Sequence, residues 1–116
     1  MKLLMYILKK NDREGIDNET LGAAGIISKL EEEFREVVIA ILNYSEDRNL
    51  RNLKEIIRET FDLIQICILI LWRCHKEAKE FEEPNLVQQI NLEHKDKLIT
   101  ERAWTPLTGI EINVKE

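Results

Sequence analysis

Glycine and proline are scarce, at 4 and 2 of 116 residues. That excludes a turn-rich all-β sandwich or barrel, whose many short strands need such residues between them. No apolar run approaches the roughly 20 residues of a bilayer span; the longest, Ile66 to Trp72, has seven residues. The stretch from Leu3 to Leu8 follows Lys2 but is too short for a signal-peptide core, and no small-residue cleavage site comes after it. A cytoplasmic protein without a membrane segment is expected. Basic charge is not in excess either, because 17 Lys and Arg stand against 22 Asp and Glu for a net charge of −5. A protein that grips nucleic acid needs a clustered basic face, so that class is disfavoured. The two cysteines, Cys67 and Cys74, fall seven apart on one expected helix, about 10 Å along its axis, too far to bridge each other. They read as free thiols.

What is present is a helical pattern. At 44% hydrophobic residues the chain can build a core, and its length fits one domain spanning residues 1–116. Helical spacing predicts a first helix from about Glu19 to Asn43, opened by the capping candidates Asp17 and Asn18. A polar turn, Tyr44 to Asn49, leads into a second helix from about Leu50 to Lys79. That helix is apolar nearly all round from Ile66 to Trp72 and must be covered on all sides. A third helix, Asn85 to about Arg102 with Pro84 in its first turn, and a second subunit are expected to cover it. The fold class is therefore all-α, with two long antiparallel helices plus a third, a helical core of about residues 19–104, and completion by oligomerisation. Toward the C-terminus, Ile110, Ile112 and Val114 alternate with polar residues, which is the period of a strand. The segment Asn11 to Asn18 reads as a turn setting off a small N-terminal element.

Candidate chemistry lies among the acids. Spacing alone says little, since about four acidic pairs three apart arise by chance at this composition. Glu77, Glu80 and Glu83 read as a solvated helix end. Two pairs differ in where they point. At about 100° per residue, Glu33 falls inside the apolar arc of the first helix, between Ile26 and Ala40, with Glu36 at its margin, while Glu32 and Arg35 point away. On the second helix Glu59 falls between Ile66 and Ile70, and Asp62 between Ile66 and Leu69. Carboxylates facing protein repel one another and require a compensating cation. Residues three apart on a helix can reach one ion, and two such pairs on antiparallel neighbours make an oxygen-only pocket suited to Mg²⁺ or Mn²⁺. The competing account is salt bridging to Arg35, Arg58, Arg73 or Lys54.

The run Lys29-Leu30-Glu31-Glu32-Glu33-Phe34-Arg35-Glu36-Val37 resembles the K-L-x-E-E-x-x-E-V signature of the MazG-like all-α nucleoside triphosphate pyrophosphohydrolases. That family places E-x-x-D on the next helix, and Glu59-Thr60-Phe61-Asp62 supplies it after 22 intervening residues. The segment His94 to Trp104 is similar to the "H…KL…RGW" ending of short, often phage-associated members, with Ala103 in place of the usual Gly. The resemblance implies Mg²⁺-dependent hydrolysis of a nucleoside triphosphate to the monophosphate and pyrophosphate. It implies metal ligation by Glu33, Glu36, Glu59 and Asp62, one of which serves as general base, with Glu32 in a supporting role outside the ligand set. Lys97 and Arg102 are candidates for contacting substrate phosphates and Trp104 for stacking on the base, Trp72 in its apolar run reading as core, and His94 reads as a surface histidine. Family members are dimers or tetramers, so a homodimer or homotetramer is expected. A second reading, from another class, is a catalytically silent helical module that uses the same bundle to dimerise or bind a protein. A di-iron carboxylate bundle is disfavoured because the chain has no Glu-x-x-His pair.

Overall fold

The computed structural model describes all 116 residues. Three helices dominate: α1 (Ala23–Glu46), α2 (Leu50–Glu80) and α3 (Leu86–Asp96), the last continuing as a π-helical turn over Lys97–Glu101. They are preceded by a minimal hairpin, β1 (Lys10–Asn11) and β2 (Ile16–Asp17), paired antiparallel with Lys10 opposite Asp17 and Asn11 opposite Ile16. The expected all-α architecture is observed. No helix is long and apolar enough to cross a membrane.

The start of α1 departs from expectation. Asp17 and Asn18 do not cap it, because the hairpin already engages both side chains: the Asp17 carboxylate accepts from the Glu19 amide at 2.9 Å, and the Asn18 amide donates to the Leu8 carbonyl at 2.9 Å. The helix begins four to five residues later, behind Gly22, with no side-chain cap. The turn-prone segment Asn11 to Asn18 is thus itself the hairpin, reversed through Gly15 at φ +68°, a conformation that suits glycine.

At its other end α1 runs three residues beyond Asn43, so the expected turn narrows to Asp47–Asn49. Asn49 caps α2, its side-chain oxygen accepting from the Asn52 amide at 2.8 Å. The Asn52 side chain in turn donates to the Asp47 carbonyl at 2.9 Å, closing the corner. A three-residue connection between helices this long makes them an antiparallel hairpin, and α1 and α2 pack along each other while α3 packs on α2.

Pro84 sits just before α3 rather than within its first turn, with Asn85 at the cap position and Glu82 at φ +59° in the reversal. The α-helical part of the third helix ends at Asp96, short of Arg102, because the backbone widens to the π-helical turn. Ala103, at φ +56°, then folds Trp104 back so that its amide donates to the Leu98 carbonyl at 2.9 Å. Ile110, Ile112 and Val114 form no strand: the only sheet is the two-residue pairing of β1 with β2, and this segment does not join it.

The buried core is thin. Only Ala40, Ile66, Leu69, Ala78 and Glu33 are buried, and no large side chain is fully enclosed. The apolar stretch Ile66 to Trp72 is covered on one side by α1 and the N-terminal segment, while Cys67 and Leu71 face solvent. The N-terminal segment is fastened to α2 by Gln65, which donates to the Tyr6 carbonyl at 2.6 Å. Arg73 adds bonds to the carbonyls of Asn18 and Leu21 at 3.1 and 2.7 Å.

Candidate metal centre

The antiparallel packing of α1 on α2 brings the two acidic pairs face to face. Carboxylate oxygens of Glu33, Glu36, Glu59 and Asp62 all lie within 4.8 Å of one another. Burial is graded across the cluster: Glu33 is buried, Glu36 and Glu59 are half-buried and Asp62 is exposed, so the site opens at one end. The i, i+3 spacing on each helix turns both acids of a pair to the same side, and the helical hairpin supplies the convergence.

The electrostatics show a negative centre that a single lysine only partly compensates. One buried oxygen of Glu33, Oε2, has no hydrogen-bond partner, and neither has Oε2 of Glu59. A buried acceptor left unpaired costs free energy, and a charged one costs more. The carboxyl of Glu36 is held above the usual carboxylate range, chiefly because it shares a hydrogen bond with Glu59, with withdrawal from water and the Glu59 charge acting the same way. Two carboxylates this close cannot both ionise freely.

The bases proposed as salt-bridge partners are engaged elsewhere or unpaired. Arg58 pairs with Glu55 at 2.5 Å, Arg73 is spent on backbone carbonyls, and Arg35 and Lys54 make no ion pair. The one cation at the cluster is Lys29, whose Nζ lies 3.1 Å from Glu33 Oε1 and 3.7 Å from Glu32 Oε2. Its pKa is raised, first by the hydrogen bond to Glu33. Lys29 therefore engages Oε1 of Glu33, while Oε2 stays buried without a hydrogen-bond partner. Glu32 is exposed and meets Lys29 from the solvent side.

Beside the acids a hollow of about 210 Å³ is lined by Glu36, Ile39, Ala40, Asn43, Glu55 and Glu59. Lys29, Asn43 and Glu55 were not singled out by sequence reasoning. A signal existed for all three, since Lys29 lies four residues before Glu33, Asn43 seven after Glu36 and Glu55 four before Glu59, all on the same helix faces. A larger cavity of about 580 Å³ lies farther along α2, lined by Trp72, Arg73 and Lys76 together with Leu8 and Lys9 of the N-terminal segment, and it contains none of the four acids.

Lys97, Arg102 and Trp104 are not brought to the acids within one chain. Lys97 opens the π-helical turn, which packs on α3 alone. Arg102 and Trp104 are exposed and fold back onto that turn through their amides, to Lys97 and Leu98 respectively. His94 is exposed in the last turn of α3, as expected of a surface histidine. No protein-family model, curated protein or solved structure matches the chain.

The donor set fits a hard divalent cation. It is made only of carboxylate oxygens, from four acids, and two of those acids, Glu33 and Glu59, each carry a buried oxygen without a hydrogen-bond partner.

A pH dependence follows from Glu36. Its folded-state pKa is raised above the unfolded value, so the folded state binds this proton more tightly. Stability of the metal-free protein should therefore fall as pH rises from the ordinary Glu range, about 4.3, through the elevated value of Glu36, and level off above it. A cation must displace that proton, so Mg²⁺ should tighten over the same window. Thermal melts across pH with Mg²⁺ and with a chelator check both trends, which should run in opposite directions.

Proposed function

We propose that the protein is a Mg²⁺-dependent nucleoside triphosphate pyrophosphohydrolase of the MazG-like type, releasing the nucleoside monophosphate and pyrophosphate. The observation that carries this reading is the convergence of Glu33, Glu36, Glu59 and Asp62 from two helices, with buried oxygens that have no protein partner. These are the same four acids that the K-L-x-E-E-x-x-E-V and E-x-x-D resemblance singles out.

Each residue has a role that follows from its surroundings. Glu33, the most enclosed and held by Lys29, is the fixed ligand; Asp62, at the exposed end, is the ligand that meets the substrate side. Bound among them, Mg²⁺ supplies polarisation of a phosphoryl oxygen and acidification of water. Glu36 is suited to accept a proton, because its contact with Glu59 raises its pKa and it lines the open hollow with Asn43. Mn²⁺ would serve in the same oxygen set. Lys97 and Arg102 remain candidates for phosphate contacts, and Trp104 for the base, only if a conformational change or a second chain carries them to the acids.

The test is a panel of nucleoside triphosphates, standard and modified, assayed with and without Mg²⁺ while pyrophosphate and orthophosphate are scored separately. Pyrophosphate release that requires Mg²⁺ is the expected result. The absence of magnesium-dependent turnover on every substrate would favour the silent interaction module instead.

A further inference from the structure

The larger cavity, about 580 Å³, lies outside the acid site and takes its walls from four stretches of the chain. Leu8 and Lys9 come from the N-terminal segment, Asn18 and Glu19 from the approach to α1, Leu69 and Trp72 from α2, and Lys115 from the C-terminal segment. Trp72 stands ten residues beyond Asp62 on α2, about 15 Å along the helix axis. Expected in the core, it is half-buried and lines this cavity instead. The volume falls within the roughly 300–1,000 Å³ of clefts that hold small organic molecules.

Hydrogen bonds tie the walls to one another. Arg73 donates to the Asn18 carbonyl at 3.1 Å, the Asn18 amide donates to the Lys9 carbonyl at 2.8 Å, and the Asn18 side chain donates to the Leu8 carbonyl at 2.9 Å. In the C-terminal segment, Glu116 meets His75 through its carboxylate and so holds its neighbour Lys115 at the cavity. His75 also packs against Trp72, their ring centroids 5.5 Å apart. A cavity fastened in this way needs little ordering when a ligand enters.

The lining charges narrow the class of ligand. Four bases, Lys9, Arg73, Lys76 and Lys115, stand against three acids, Glu19, Glu77 and Glu80, in a chain whose net charge is −5. None of the seven takes part in an ion pair with another residue. Unpaired cations around one cavity favour an anion, while the three acids oppose a polyanion such as a triphosphate. The local excess of one positive charge matches a single negative one. Lys76 rests with its Nζ 5.3 Å from the centroid of the Trp72 ring, a cation–π contact. The same ring is a stacking surface for another flat ring. Only 4 of the 12 lining residues are hydrophobic, too few to sheath an alkyl chain, so a compact ring suits the cavity better than a fatty-acid tail.

We propose that this cavity is a binding site for a small aromatic monoanion, a flat ring system carrying one carboxylate or comparable acidic group. The ring stacks on Trp72, and Lys76 moves from the indole to the acidic group, joined by the other lysines of the rim. The site is separate from the four acids, and this inference does not depend on the proposed activity.

The test is a titration of the full chain with 2-naphthoate, followed by the indole N–H resonances of its two tryptophans in nitrogen–proton NMR spectra. Trp72 should shift saturably in the submillimolar range, while Trp104, which lies outside the cavity, stays in place. The amine 2-naphthylmethylamine and the alkyl acid octanoate should each bind at least about tenfold more weakly. Lys76→Glu should weaken 2-naphthoate by about tenfold or more, and Lys76→Arg should bind as the wild type does. Lys76 is exposed, so neither variant disturbs the fold. Lys95→Glu makes the same charge change outside the cavity and should leave affinity unaltered. A Trp72 resonance that does not move, or an affinity that Lys76→Glu leaves unchanged, would overturn the site. Equal binding of the amine or of octanoate, or a Trp72 shift at lower concentrations of ATP than of 2-naphthoate, would overturn the ligand class.

Discussion

Glu36→Gln is expected to lower magnesium-dependent pyrophosphate release by at least about a hundred-fold while raising the thermal midpoint of the metal-free protein at neutral pH. Both effects have one origin. Glu36 lies against Glu59, and its carboxyl is held above the usual range by that contact. At neutral pH the pair must either retain a proton or bear adjacent negative charges, so an amide of the same shape relieves the repulsion. The same substitution removes one of four oxygens from the cation site and the carboxyl best placed to take a proton. Asp62→Asn should share the loss of activity with a smaller gain in stability, because Asp62 is exposed. Glu80→Gln, in the acidic series at the solvated end of α2, should change neither. Activity assays and thermal melts on the three variants check the pattern, and full activity in both Glu36→Gln and Asp62→Asn would refute the site.

Lys29→Met should act in the opposite sense on the metal-free fold. The Glu33 side chain is 6% exposed and Lys29 is the only cation beside it, 3.1 Å away. Removing that cation leaves the buried Glu33 carboxylate without its ion pair, at a cost of about 1–3 kcal/mol. The lysine itself is half exposed, so solvent screening keeps the effect below that of breaking a fully buried ion pair. Mg²⁺ should then stabilise Lys29→Met more than it stabilises the wild type, because the ion satisfies an acceptor set that has lost its other cation. Thermal melts with and without Mg²⁺ check this, and Lys29→Arg should behave as the wild type does.

The two long helices and the face-to-face acids were legible because both rest on one helical period. Once Glu33 is placed between Ile26 and Ala40 on the wheel, antiparallel pairing with α2 brings it to Glu59 with no further information. The pieces that sequence reasoning missed depend on contacts distant along the chain. Asp17 and Asn18 have the chemistry of caps, but the hairpin and the Leu8 carbonyl reach them first. The alternation of Ile110, Ile112 and Val114 has the period of a strand yet joins no sheet. Ala103 stands where the resembled ending has Gly, and the backbone there adopts φ +56°, a conformation glycine takes without steric cost. The apolar run in α2 was expected to be covered by a third helix and a second subunit, and within a single chain it remains partly bare.

The most direct measurement is a titration with Mn²⁺, followed by electron paramagnetic resonance, on the wild type and on the double variant Glu36→Gln/Asp62→Asn. Specific saturable binding that depends on this pair of acids is the predicted result. A wild type that binds no Mn²⁺, or a double variant that binds it equally well, would contradict the assignment of Glu33, Glu36, Glu59 and Asp62 as a cation site.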